Sequence, residues 1–148
     1  WNQKRGVELS SQAAAESEPS LSRLPFFGRI AAGRPIEAVV GDDSVTVPDH
    51  LLGAVPEDHF VLKVVGDSMI DEGIHDGDFV VVEKRRRAHN GEKVVALVHG
   101  EEATLKTFRL QGRQVRLEPA NENLEPMVFP ADAVQILGVV TGVLRLYR

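Results

Sequence analysis

Short apolar runs, each closed by a turn, dominate this chain and leave room for little but a β architecture. The runs 60–65 (FVLKVV), 79–82 (FVVV), 93–98 (KVVALV), 103–110 (ATLKTFRL), 114–117 (QVRL) and 134–140 (VQILGVV) are four to eight residues long and rich in valine. Clusters of Gly, Asp, Asn and Pro separate them, which is the punctuation of strands rather than helices. No long amphipathic helix and no internal repeat competes with that pattern. His89-Asn90-Gly91 predicts a hairpin through Asn-Gly, and Leu110-Gln111-Gly112 predicts a second turn. Gly138 and Gly142 interrupt the last apolar segment, 134–146, at positions suited to bulges or bends. A single helical turn is expected over 68–74.

The first residues read differently. Residues 1–9 (WNQKRGVEL) look like the remnant of a strand, and 10–22 (SSQAAAESEPSLS) are small, polar and Pro-containing, as in a flexible linker. The globular part is expected to begin near Leu24. The chain then divides into a mobile N-terminal arm, 1–23, and one mostly-β domain, 24–148, and its 148 residues suffice for a sizeable core.

Composition removes several functions. There are no cysteines, which excludes a disulfide framework, a cysteine nucleophile and a thiolate metal site, and fits a reducing cytoplasm. No apolar run approaches the roughly 20 residues of a membrane helix, and no signal-peptide core is present. A cytoplasmic protein with no membrane partner is expected. The net charge of −5 speaks against this piece binding DNA by itself, because phosphate neutralisation needs a basic face. Arg85-Arg86-Arg87 reads as a solvated turn. Gly-rich phosphate loops are absent, and His50, His59, His75, His89 and His99 lack zinc-ligand spacing. The acidic stretch 71–78 (DEGIHDGD) does not fit a calcium loop and suits tight turns instead. Neither metal nor cofactor is expected.

Two residues carry possible chemistry. Ser68 follows the buried-looking run 60–65 across Gly66-Asp67, and a strand end is where a nucleophile can stand beside free backbone N–H groups. Taken alone, a Ser after Gly-Asp is an ordinary turn or helix cap. Lys106 lies inside the run 103–110 and, two positions from Thr104, shares one face of a strand with it. Such a lysine is commonly an edge-strand charge that blocks aggregation. Buried, it becomes neutral and can act as a general base.

Joined in order, these segments resemble a family. Val65-Gly66-Asp67-Ser68-Met69, then Gly73-Ile74 and Asp76-Gly77-Asp78, then Ala103-Thr104-Leu105-Lys106, resemble the serine–lysine core of LexA-type repressors, with Ser68 and Lys106 38 positions apart. Upstream, 27–35 (FGRIAAGRP) resembles the site at which such repressors cut themselves. The resemblance covers roughly 24–148 and implies a single LexA/signal-peptidase-like β domain with a cleavage loop. It implies Ser68 as nucleophile, Lys106 as general base, and the backbone N–H groups of Asp67 and Ser68 as oxyanion hole. Thr104 is implied to orient the lysine or hold the loop, and Ala32–Gly33 to be the bond cut. Small residues there let a strand pass close to a serine.

The resemblance further implies a homodimer whose self-cleavage is stimulated by RecA filaments on single-stranded DNA, so that DNA damage relieves repression of DNA-repair genes. Operator DNA would be bound by an N-terminal winged helix-turn-helix domain, of which only residues 1–9 could be a vestige here, so the chain reads as a fragment. Three other readings compete. A UmuD-like accessory protein of translesion DNA replication shares the fold and dyad, but the wing-like WNQKRGVEL speaks against it. A non-enzymatic dimerisation module would not need Ser68, Lys106 and Ala32–Gly33 together. A type I signal peptidase would need a membrane anchor.

Overall fold

The computed structural model describes residues 21–32, 34–38, 43–52 and 58–145. Ten strands follow one another: β1 (Leu21–Ala31), β2 (Glu37–Ala38), β3 (Ser44–Pro48), β4 (His59–Val65), β5 (Phe79–Lys84), β6 (Lys93–Val98), β7 (Glu102–Gln111), β8 (Gln114–Glu118), β9 (Met127–Pro130) and β10 (Val134–Leu144). They form one sheet in the order β2-β1-β4-β5-β10-β6-β7-β8-β9, with β3 alongside β1. The mostly-β expectation holds. All six anticipated runs are strands, and a short 3-10 turn, Ile70–Glu72, falls inside the anticipated 68–74.

The central strands are apolar on both faces because both faces are covered. Along β4, Phe60, Leu62 and Val64 enter one cluster with Met69, Ile74, Val80 and Val82, while Val61 enters another with Leu24, Val47 and Val81. β6 divides likewise: Val95 joins the first cluster, and Val94, Ala96 and Val98 join a third with Phe108, Leu117, Ile136 and Val139.

The expected Asn90-Gly91 hairpin does not form between its neighbours. β5 and β6 both pair with β10, which lies between them. The Asn90-Gly91 turn packs against β7 instead: Gly91 N–H donates to Phe108 C=O (2.8 Å), and Asn90 Oδ1 accepts from Leu110 N–H (2.7 Å). A strand from far along the sequence has displaced the local pairing. The Gln111-Gly112 turn does close a hairpin, with Gln111 opposite Gln114 and Gly112 at φ 61°. Both glycines of β10 mark register shifts, one between Ile136 and Gly138, the other between Val140 and Gly142.

β1 and β3 were not anticipated as strands, nor was β9. β1 begins at Leu21, so 21–23 belong to the sheet rather than to a linker, while residues 1–20 lie outside the described residues. β1 runs parallel to β4, with Ile30 opposite Val64 and Ala31 opposite Val65. On its other side it pairs with β3 and then with β2. β2 returns so closely that a Cβ at Gly28 would lie 2.1 Å from Glu37 C=O. Parallel β1 and β4 therefore deliver two chain ends, after Ala31 and after Val65, to one side of the sheet.

Candidate active site

At that side the chain leaves β4 through Gly66 (φ 99°), a conformation that suits glycine. The turn is tied down residue by residue. Gly66 N–H donates to Asp76 Oδ1 (2.8 Å), and Ser68 C=O accepts from Ala120 N–H (2.7 Å). Asp67 C=O accepts from Ile70 N–H (3.2 Å) and from Asn121 Nδ2 (3.0 Å). Met69 is buried in the core beside Ile74, and its C=O accepts Ile74 N–H (3.2 Å). Burial of such a side chain contributes about 1.5–3 kcal/mol, so Met69 anchors the turn and leaves Ser68 half-buried at the surface. The 71–78 stretch is the buttress of this turn: Gly73 and Gly77 have φ 79° and 89°, and Asp78 accepts from His75 N–H (2.8 Å).

Ser68 opens on a cleft of about 360 Å³ that it shares with Ala31, Ala32, Arg34, Val65, Gly66, Asp67 and Leu124. Arg34 N–H donates back to Ala31 C=O (3.3 Å), and Arg34 C=O accepts from Ala103 N–H (2.8 Å) at the start of β7. The chain around Ala32 is thus held between the end of β4 and the start of β7, in the same cleft as the serine. Gly33 lies outside the described residues. Among the described residues, neither Asp67 N–H nor Ser68 N–H donates a hydrogen bond, so both are free to serve an oxyanion.

Lys106 does not line the cleft. It is buried on β7 at 3% exposure, with Thr104 at 2%. Across the strands Lys106 faces Val94 and Thr104 faces Ala96, so both polar groups sit on an apolar face. Lys106 Nζ donates to Thr104 Oγ1 (2.5 Å). Burial without an opposite charge brings the Lys106 pKa down from 10.5 to about 8. Ser68 Oγ and Lys106 Nζ are not hydrogen-bonded to each other in this arrangement, which is common before a catalytic site is fully assembled. The residues anticipated as one site thus fall into two groups in this structure, Ala32 with Asp67 and Ser68, and Thr104 with Lys106. Sequence reasoning gave no role to Arg34, Asp76, Asn121 or Leu124; Arg34 fell within the singled-out stretch 27–35 and Asp76 within 76–78, whereas Asn121 and Leu124 fell in no motif.

Among the described residues no group of three or more His, Asp or Glu could hold a metal. No helix among them is long and apolar enough to cross a membrane.

A mostly-β domain with a serine turn, a buried lysine and an internal segment in the serine's cleft has the parts of a self-processing peptidase. Residues 25–141 match the family described as Peptidase S24-like, and the chain belongs to that family. Within it the resemblance is to LexA repressors. The chain is 46% identical to the LexA repressor of Syntrophobacter fumaroxidans over 147 residues, covering 99% of this chain and 68% of the relative. It is 44% identical to that of Syntrophotalea carbinolica (100% and 70%), and 46% identical to that of Zymomonas mobilis (89% and 60%). The chain spans between about half and three quarters of the length of the curated relatives it matches.

Proposed function

We propose that this chain is the latent serine protease part of a LexA-type repressor of the SOS response, and that it cuts its own Ala32–Gly33 bond. The observation that carries this reading is the uncompensated burial of Lys106. A lysine with the usual pKa near 10.4 is neutral in only about 1 molecule in 2,500 at pH 7, whereas one near 8 is neutral in about one in ten. Neutral Lys106 Nζ takes the proton of Ser68 Oγ as that oxygen attacks the carbonyl carbon of Ala32. The N–H groups of Asp67 and Ser68 receive the oxyanion. As the intermediate collapses, the C–N bond breaks and Lys106 returns the proton to the Gly33 amine. Water, deprotonated by the same lysine, then attacks the Ser68 ester; as the acyl C–O bond breaks, Lys106 returns that proton to Ser68 Oγ and the Ala32 carboxylic acid is released and ionises. Thr104 holds Nζ in place.

Because substrate and nucleophile share a chain, no encounter step is needed. The rate follows the fraction of molecules with the loop docked and the dyad assembled. RecA filaments on single-stranded DNA act by raising that fraction, which couples DNA damage to derepression of DNA-repair genes. The parent repressor binds operator DNA through an N-terminal winged helix-turn-helix domain and works in the cytoplasm as a homodimer. β10 supports the dimer: among the described residues Val140–Leu144 pair only with β5, and Val143 is exposed. Sedimentation at micromolar concentration should give a dimer; a strictly monomeric species would count against that contact.

The cleavage itself is tested by intact-mass analysis after incubation at alkaline pH, or with RecA, nucleotide and single-stranded DNA. Pieces 1–32 and 33–148 are expected from the wild type and none from Ser68→Ala. Cutting at another bond with Ala32–Gly33 intact would overturn the site.

A further inference from the structure

We infer that Asn121 is a positioning residue that aims the oxyanion-binding N–H of Ser68, an inference that rests on the serine mechanism above. The C=O of Asp67 and the N–H of Ser68 belong to one planar trans peptide and point in opposite directions. Whatever holds that carbonyl therefore fixes the direction of that N–H. Asp67 C=O is held from two sides: by Ile70 N–H (3.2 Å), within the turn, and by Asn121 Nδ2 (3.0 Å), from a segment 54 residues away. The first bond lies within the turn. The second reaches the Asp67 carbonyl itself from the loop after β8, whose other bonds to the turn, through Ala120, are made at Ser68 C=O and Asp71 N–H.

The orientation of the Asn121 amide is defined by its own contacts. Its Oδ1 accepts from Asn123 N–H (2.8 Å), which leaves Nδ2 to face Asp67. Its loop is fixed in turn: Ala120 N–H donates to Ser68 C=O and Ala120 C=O accepts Asp71 N–H, both at 2.7 Å, while Leu124 N–H donates to Asn121 C=O (3.0 Å). The same loop brings Leu124 into the cleft. Asn121 thus joins the wall of the cleft to the peptide that carries the oxyanion donor, without touching the reacting atoms.

Two variants separate this role from mere support of the 121–124 turn. Asn121→Asp keeps the oxygen that accepts from Asn123 but removes the donor to Asp67; Asn121→Ala removes both and adds no charge. Self-cleavage is followed by intact mass from pH 6 to 10, with thermal melting as a check on folding and Ser68→Ala as control. Both variants should lose about 10- to 100-fold in the high-pH plateau rate, a fraction of the 10²–10³ that loss of a whole oxyanion donor costs. The midpoint of the pH profile in Asn121→Ala should stay that of wild type. If Asn121→Asp reaches the wild-type plateau, Asn121 only supports its turn and the inference fails. It also fails if Asn121→Ala moves the midpoint while keeping the plateau, since Asn121 then acts on the lysine. Cleavage by Ser68→Ala would bring down the serine mechanism and this inference with it, whereas an inactive Ser68→Ala beside fully active Asn121 variants removes the inference alone.

Discussion

Asp78 and Lys106 are both charged in water and both almost wholly buried, at 1% and 3% exposure, yet the protein treats them in opposite ways. Asp78 is given three hydrogen bonds, two of them from a cation. Arg145 donates Nε to Oδ1 and Nη2 to Oδ2, each at 2.7 Å, and His75 N–H adds a bond at 2.8 Å. The Arg145 hydrogen bonds hold the carboxyl below its usual value. Lys106 is given one neutral hydroxyl and an apolar face. A buried charge that is compensated stays charged and ties segments together; one that is not holds its proton less firmly and gives it up at a lower pH. The first arrangement suits scaffolding; the second suits the proton transfer proposed for Lys106.

The strongest way to break this contrast is to restore a permanent charge at 106. Lys106→Arg and Lys106→Met should both abolish self-cleavage, a loss of at least about 1,000-fold by intact mass, because neither can accept a proton. An arginine variant that still cuts would move the base to a histidine. Next comes the pH dependence: cleavage should rise about tenfold per pH unit up to roughly pH 8 and then level off, since only the neutral amine works. A plateau already at pH 7 would mean that Lys106 is not the titrating base.

Stability sharpens the other half. Arg145→Ala leaves Asp78 buried without its cation and should cost about 2–3 kcal/mol in urea unfolding. The Asp78 contribution is whole above the ordinary carboxylate value near 3.8 and is lost as pH falls through its lower folded value. Lys106 runs the other way. Its folded pKa is depressed, so the unfolded chain binds more protons between about pH 8 and 10.5, and stability should rise with pH across that window. Lys106→Met should remove that rise. It should also stabilise the fold at pH 7 by roughly 1–2 kcal/mol, because the lost desolvation outweighs the stranded Thr104 hydroxyl.

Sequence disclosed the strands that are buried on both faces, because a run such as FVLKVV has few alternatives. It did not disclose β1, where Arg23, Pro25, Gly28 and Arg29 interrupt the apolar positions. Nor did it disclose that β10 enters between β5 and β6, since non-local pairing leaves no local signature. Ser68, Lys106 and Thr104 were singled out through motif spacing, though not their division into two groups, and the buttressing role of Asp76 was half-legible as a turn former. Asn121 was not: an asparagine in Pro-Ala-Asn-Glu-Asn looks like any turn residue, and only the fold shows the carbonyl that it meets.

One feature of the sheet separates two events that a cut would otherwise seem to merge. The segment in the serine's cleft is the end of β1, which is laced to β4 on one side and to β3 and β2 on the other. The proposed cut after Ala32 would remove a covalent link but none of the pairings of β1 with β4 or β3. The new C-terminus would then stay moored beside Ser68 until the whole strand peeled away. On that reading scission sets a fuse, and the parting of the two halves is timed by how long a strand can outlast its own connection.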